Sequence, residues 1–334
     1  MAHETVTIAV DAMGGDRAPD VVLPGVAAAL EADPELVVSL VGPEEVVEPF
    51  AAANERVTPL LASQTIAMDE HPAQAVRQKP DSSIVVGCKA LRDGTADAFF
   101  SAGSTGACMA AATLVVGRVR GVLRPAIAAV VPAPARPVVL LDIGANADCK
   151  PEHLVQFALM GAAYARTVLG VSEPSVGLLN IGEEATKGSS LAQAAHAMMR
   201  ERVRGFIGNV EGRDIPAGAA DVVVTDGFTG NVALKLMEGL SSVLFAEIKS
   251  AMTSTRIRTL AAAVLKRPLR DMRRRLDPDA YGGAPLLGVR RPVLIGHGSS
   301  GPEAIAAGIA ASAMAVRLSL VDAIEADIAA SGVA

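Results

Sequence analysis

The sequence predicts an α/β fold, with helices layered on both faces of a largely parallel sheet (αβα). Three observations carry this. Short apolar runs of strand length alternate with longer runs at helical spacing, and the alternation recurs at least six times. Each short run ends in a turn that combines Gly with Ser, Thr, Asn, Asp or Lys. Of the 334 residues, 51% are hydrophobic but only 3% aromatic, with no Trp. Much of the apolar content is Ala and Val, which suits small-residue helices packed on buried parallel strands. The length allows one large unit over residues 1–334, or two lobes about a cleft.

The first unit is TVTIAVDAMGGD, residues 5–16. Its apolar run ends at Asp11, Gly14, Gly15 and Asp16 form the turn, and Pro19 and Asp20 open a helix reaching about Ala32. Polar and glycine residues at the carboxyl end of a parallel strand stand where α/β proteins place ligands. Capping of the turn is the competing reading for Asp11 and Asp16. A strand at Leu36–Val41, a helix after Gly42 and Pro43 and a strand near Val57–Leu61 follow. Residues 68–84 are polar and helix-like between prolines. Their Arg77 and Lys79 could reach an anion, with solvated surface charge as the plainer alternative.

The chain is organised around residues 96–117, ADAFFSAGSTGACMAAATLVVG. A buried strand at Ala98–Phe100 turns through Ser101, Gly103, Ser104, Thr105 and Gly106 into an Ala/Met/Leu/Val helix. A small-residue turn at a helix N-terminus exposes backbone N–H groups and can seat an anion such as phosphate. Its uncharged length raises the question of a membrane span, but the SAGSTG turn breaks it into strand and helix.

Strands at Ala126–Val131 and Pro137–Ile143 come next. The second runs into LLDIGANADCKPEHLVQFA, where Asp142, Asn146, Asp148 and Lys150 crowd one turn before a helix opened by Pro151. So many polar groups after a buried strand must bind each other or a ligand. VGLLNIGEEATKG (176–188) repeats the pattern with Lys187. VVVTDGFTGNVALKLMEGL (222–240) repeats it with Asp226, Thr229, Gly230 and Asn231. RPVLIGHGSSGPEAI (291–305) is the last instance, with His297, and a long Ala-rich helix closes the chain. Parallel strands would bring all six turns to one edge of the sheet, converging on one phosphate. No turn is a GxxxxGKS/T or GxGxxG motif, so the repetition carries the weight.

A net charge of −6 argues against general nucleic-acid binding. The N-terminus runs straight into a strand pattern rather than a signal peptide. Cys88, Cys108 and Cys149 form no CxxC pair, which fits a reducing compartment. The His spacing matches no zinc motif, so no metal or cofactor is expected. Within residues 250–285 lies RIRTLAAAVLKRPLRDMRRRL (256–276), with eight Lys or Arg and one Asp. Leu260, Leu265 and Leu269 fall on an apolar helical stripe, and Arg273, Arg274 and Arg275 extend the basic charge. A basic amphipathic helix reads as a contact for an anionic membrane or an acidic partner. A solvated helix packed on its own protein is the alternative.

Together DAMGGD, SAGSTGA, LDIGANADCKPEHLVQFA, NIGEEATKG, TDGFTGNVALK and GHGSS resemble the bacterial phosphate acyltransferases of phospholipid synthesis, from about Val6 to Ala311. The resemblance implies a fold similar to phosphate acetyltransferases and isocitrate-type dehydrogenases. It implies transfer of a fatty acyl group from an acyl carrier protein thioester to inorganic phosphate, without a cofactor. It also implies a homodimer, cytoplasmic and held peripherally at the inner face of the cell membrane. The acyl phosphate product would pass to a glycerol-3-phosphate acyltransferase. Carried over by motif, Lys187 and Asn231 are the residues needed for activity, and the basic segment resembles the family's membrane-contact helices. Three positions depart from the family pattern: Arg17 stands where His is usual, Ser104 where SAGNTG has Asn, and GPEAI where Asn and Lys follow GHGSS.

The chemistry expected is attack of a phosphate oxygen on a thioester carbonyl. Phosphate is strongly hydrated, so a pocket of N–H groups, hydroxyls and one Lys must strip its water and orient it. The leaving thiolate has a parent pKa of about 8.5 and departs without a strong general acid. A covalent route through Cys149 is the rival, with Lys150 beside it but no adjacent His. Two other classes remain: a metal-dependent decarboxylating dehydrogenase on the same fold, for which Asp142, Asp148 and Asp226 could serve a cation, and a non-catalytic scaffold for acyl carrier protein.

Overall fold

The computed structural model describes residues 5–255, 258, 262, 265, 267–270, 272 and 281–333. The first half alternates as the sequence pattern requires: β1 (Val6–Asp11), α1 (Val22–Ala32), β2 (Leu36–Gly42), α2 (Glu44–Ala52), β3 (Val57–Leu61), α3 (Pro72–Gln78), α4 (Ser83–Asp93), β4 (Ala98–Ser101) and α5 (Thr105–Ala111), which a π turn continues over Ala112–Val116. The second half contains β5 (Ala126–Val131), β6 (Val138–Leu141), α6 (Pro151–Thr167), β7 (Val176–Leu179), α7 (Ser190–Arg202), β8 (Phe206–Val210), α8 (Asp214–Ala217), β9 (Val222–Val224) and α9 (Gly227–Thr253). It ends with β10 (Ala284–Leu287), β11 (Val293–Ile295), α10 (Pro302–Arg317) and α11 (Leu320–Ser331).

Among the described residues eleven strands join one sheet in the order β3-β2-β1-β4-β11-β10-β5-β6-β9-β7-β8. The strands β3, β2, β1, β4 and β11 are mutually parallel, and so are β6, β9, β7 and β8. Between them β10 pairs antiparallel with both β11 and β5, and β5 pairs antiparallel with β6. The two parallel blocks therefore run in opposite directions. This corrects the expectation that all six turns leave the sheet at one edge. They leave in two sets, after β1, β4 and β11, and after β6, β9 and β7.

Side chains alternate across the sheet as strand geometry demands. On one face Ala9, Phe99, Leu140 and Val223 join one apolar cluster under α4 and α5, which reaches Ile143 and the half-buried Leu234 and Met237 of α9. This cluster spans both blocks. On the other face Ile8, Val10 and Phe100 pack beneath α1 and α10, while Val139, Leu141, Val222 and Val224 pack beneath α6, α7 and α11.

Several elements differ from the sequence reading. The first helix begins at Val22, because Arg17–Val21 form a turn of their own. The closing helix is two helices bent by 54°, broken at Ser319 with φ of 51°. No single helix among the described residues is long and apolar enough to cross a membrane. The half-polar edge strand β8 and the Pro-containing β10 carry patterns too weak for sequence to reveal them as elements. The helix α4 is a further addition, with Ile84, Cys88 and Leu91 at helical spacing and Gly94 as its C-cap.

The helix α9 stands out. Over 27 residues, about 40 Å at 1.5 Å per residue, only Gly227 and Gly230 are buried. Phe228, Val232, Leu236, Leu240, Val243 and Leu244 are all exposed, Leu236 at 69%.

Candidate functional site

In the first set, strand register places Asp11 beside Ser101 and Ser101 beside Ile295. The three following turns lock together. Asp11 is 2% exposed, and its Oδ2 accepts from Ser101 Oγ at 2.7 Å while Oδ1 accepts the Met13 N–H at 3.0 Å. Burial pushes the Asp11 carboxyl above its usual range, against the hydrogen bonds from Ser101, Ser83 and Met13. Ser101 Oγ in turn accepts the Gly103 N–H at 3.0 Å. A Cβ on Gly14 would come within 2.9 Å of Gly103 N, Asp11 Oδ2 and Ser101 Oγ, so only glycine lets these turns approach. The Asp16 N–H donates to the Gly298 carbonyl at 2.8 Å, and the Arg17 guanidinium donates to the Ser300 carbonyl at 3.2 Å. His297 Nδ1 lies 2.8 Å from Ser299 Oγ. Ser104 caps α5 by accepting the Ala107 N–H at 3.4 Å. Gly15 faces the Gly298 carbonyl, Gly106 packs on Pro72, and Thr105 is exposed.

In the second set, Leu141, Val224 and Leu178 are in register on adjacent strands, so the turns after β6, β9 and β7 are neighbours. Asp142 dominates the first. Its carboxylate accepts the N–H groups of Ile127, Gly144, Ala145 and Asn146 at 2.7–3.2 Å, and Asn146 Nδ2 at 2.8 Å. Burial raises its pKa in spite of these donors. Asn146 Nδ2 also holds the Pro125 carbonyl at 2.8 Å. The polar crowding of this turn is thus largely self-satisfied, and its N–H groups point inward. Asp148 and Lys150 are exposed, and Lys150 is the N-cap residue of α6.

The turn after β9 packs directly on the first. The Gly227 N–H donates to the Asn146 carbonyl at 2.8 Å, and Asn231 Nδ2 donates to the Ile143 carbonyl at 2.9 Å. A Cβ on Gly230 would overlap the Asp142 carbonyl. Asp226 caps α9 through the Thr229 N–H at 2.9 Å and Thr229 Oγ1 at 2.8 Å.

The turn after β7 carries Lys187, exposed and without an ion pair among the described residues. Its backbone is pinned on both sides. The Lys187 N–H donates to the Glu184 carbonyl at 3.0 Å, and that carbonyl also accepts Asn209 Nδ2 at 2.9 Å. The Lys187 carbonyl accepts Asn180 Nδ2 at 3.1 Å. Gln193 Nε2 adds bonds to the Thr186 and Gly188 carbonyls at 2.9 and 3.2 Å.

Cys149 is half-buried, with its thiol donating to the Asn146 carbonyl at 3.5 Å. Burial and the nearby Asp142 and Asp226 charges push it up to about 11, so it is a thiol rather than a thiolate near neutrality. His153 lies one helical turn on, but its Nδ1 accepts the Lys150 N–H at 3.2 Å, and burial with the nearby Arg124 holds its pKa low. Among the described residues no group of three or more His, Cys, Asp or Glu is placed to hold a metal ion. Of the basic-segment residues, Leu265 is exposed and Leu269 half-buried, while Leu260, Arg273, Arg274 and Arg275 lie outside the described residues. Sequence alone does not single out Asn209, Asn180 or Gln193. Asn180, directly after β7, and Asn209, near the carboxyl end of β8, carry the signal that could find them, a polar residue at the end of a parallel strand.

The model of a family described as "Fatty acid synthesis protein" matches residues 6–322. A phosphate acyltransferase of Desulfitobacterium hafniense is 51% identical over 302 residues, covering 89% of this chain and 90% of that one. A phosphate acyltransferase of Heliobacterium modesticaldum is 48% identical over 323 residues, covering 95% and 96%. In fold, the chain is similar to a phosphotransacetylase from Streptococcus pyogenes, with a TM-score of 0.61, 17% identity and 93% and 94% coverage.

Proposed function

This chain belongs to the fatty acid synthesis protein family, whose members here are phosphate acyltransferases, and from that premise we propose how it acts. It is an acyltransferase with phosphate as acceptor. The proposed donor is a fatty acyl thioester of acyl carrier protein, and the product an acyl phosphate for a glycerol-3-phosphate acyltransferase to consume. A phosphate oxygen attacks the thioester carbonyl carbon and forms a C–O bond. The carbonyl oxygen takes the negative charge, and collapse breaks the C–S bond with release of thiolate.

The observation that carries the assignment of residues is Lys187, an ammonium without a carboxylate partner among the described residues, on a turn pinned from both sides. An unpaired cation on a turn whose backbone is held in this way orients phosphate and stabilises the developing oxyanion. Asn231 stands on the turn of the adjacent strand. One of its amide N–H groups holds the Ile143 carbonyl, which leaves the other donor for the reacting oxygens. Asp11, Ser101 and Asp142 act through the turns they hold, and Gly14, Gly15, Gly103, Ser104, Thr105 and Gly106 form the facing wall. Sheet twist favours such a shared cleft. At about 20–25° per strand, the five steps from β4 to β9 rotate the oppositely directed ends toward one another by about 100–125°. The apolar cluster beneath α5 also reaches Ile143 and α9.

The exposed apolar residues of α9 support a homodimer, since an uncovered stripe of this length marks an interaction surface. The basic stretch that follows supports contact with an anionic membrane. The test of the activity is thiol release from acyl carrier protein thioester, with acyl phosphate trapped as a hydroxamate. Release that proceeds equally well without phosphate defeats the proposal.

A further inference from the structure

The rim of the second set of turns carries an unpartnered basic surface. Leu287 of β10 pairs with Ala126 of β5, which brings residues 288–292 beside residues 117–125. The Val119 N–H donates to the Gly288 carbonyl at 2.9 Å, the Arg290 N–H to the Gly117 carbonyl at 3.0 Å, and Arg290 Nε to the Arg118 carbonyl at 3.0 Å. These segments read GRVRGVLRP and GVRRP, with five arginines and no acidic residue, in a chain of net charge −6. Arg118, Arg120, Arg124, Arg290 and Arg291 are all exposed, and among the described residues none forms an ion pair. Asp322 and Glu325 are on α11, whose Leu320, Val321 and Ile324 line a small cavity with Gly288, Val289 and Arg291, and among the described residues neither acid is paired to the rim.

The rim adjoins the candidate site. Asn146, in the turn after β6, holds the carbonyl of Pro125, the neighbour of Arg124. Of the apolar residues of the rim, Val119, Val122 and Val289 are buried and Leu123 is half-buried. The surface thus offers five exposed charges and little apolar area, whereas binding to a lipid surface draws on both. Charge with so little apolar area, at the lip of the site, fits a folded acidic partner that brings its cargo with it.

We infer that this arginine rim is the docking surface for the acidic carrier protein that delivers the acyl thioester. The inference rests on the carrier-protein donor proposed above. Arg118 and Arg290 also hold backbone carbonyls, so the test uses Arg120 and Arg291, whose side chains hold none. The double variant R120E/R291E is assayed with acyl carrier protein thioester and with acyl-pantetheine, a small neutral thioester containing the same reacting bond. The expected result is a KM for the carrier substrate raised about tenfold at low salt, with the gap narrowing as salt is added. The KM and kcat for acyl-pantetheine stay at wild-type values. An unchanged carrier KM overturns the rim alone, as does an equal loss on both substrates. Loss of co-sedimentation with anionic phosphatidylglycerol vesicles at an unchanged carrier KM would make the rim a lipid contact instead. A wild-type enzyme that turns over acyl-pantetheine but not the carrier thioester overturns the donor assignment, and the rim with it.

Discussion

Asn209 reaches from the end of β8 to donate its side-chain N–H to the Glu184 carbonyl at 2.9 Å. The same carbonyl accepts the Lys187 N–H, so a residue 22 positions away in sequence sets where the Lys187 turn sits. Asn209→Ala should lower kcat while costing the fold only about 1 kcal/mol, the net value of one hydrogen bond. In a Lys187→Ala background the same change should add little, because the turn no longer carries the group it positions. Additive losses in that double-mutant cycle would make Asn209 merely structural.

Lys187 itself is exposed, so its removal should leave the melting temperature where it is. Lys187→Ala should reduce kcat/KM by about 2.7–4 kcal/mol of transition-state stabilisation, the scale of a lost oxyanion donor. Wild-type kcat/KM in a folded variant would remove Lys187 from the reaction.

Much of this arrangement is legible in the sequence, and the limits are physical. Asp11, Ser101 and Asp142 announce themselves because a polar residue directly after an apolar strand must find a partner. The reversal of direction between the two blocks is not legible. It depends on β10, four residues including Pro285, and on which strands it pairs with, and neither is a property of its local pattern. Nor does the crowding at 142–150 reveal that Asp142 consumes the N–H groups of its own turn, since that depends on which way the loop folds.

Cys149 offers a sharp negative. With its thiol pushed up to about 11, about one molecule in ten thousand carries a thiolate at neutral pH. Cys149→Ser should therefore keep near-wild-type kcat and show no alkali-dependent loss relative to the parent. A drop of 10²-fold or more, the scale of about 2.7 kcal/mol, would revive a covalent acyl-enzyme.

Asp11 predicts a pH signature in stability. Its pKa is raised in the folded state by burial, so the charged form is disfavoured there. The stability it contributes is full below the unfolded value of 3.8 and is lost as pH rises through the raised folded value. Asp11→Asn does not titrate, so its stability relative to wild type should be most favourable at neutral pH. That advantage should shrink as pH falls toward about 4. Urea melts of both proteins across this range check the sign, and an advantage that grows on acidification contradicts it.

Gly230 and Gly239 lie on the same helix and should respond in opposite directions to alanine. At Gly230 the added Cβ meets the Asp142 carbonyl, backbone that is held by the Thr225–Asp142 ladder and cannot withdraw without parting two turns. Overpacking of this kind costs about 1–3 kcal/mol, and here it also disturbs Asn231, so activity and stability should fall together. At Gly239 an added Cβ meets nothing within 4 Å, and the position sits in exposed helix. In the separated protomer its replacement by Ala should stabilise by about 0.5–1 kcal/mol through backbone entropy, whereas in the proposed dimer, whose stripe it shares with Val232, Leu236 and Val243, the added methyl meets the second copy. Equal effects at the two positions, read from urea melts, would mean that the turns after β6 and β9 are not packed against each other. Lys187 and Asn231 would then have no common floor on which to meet a substrate.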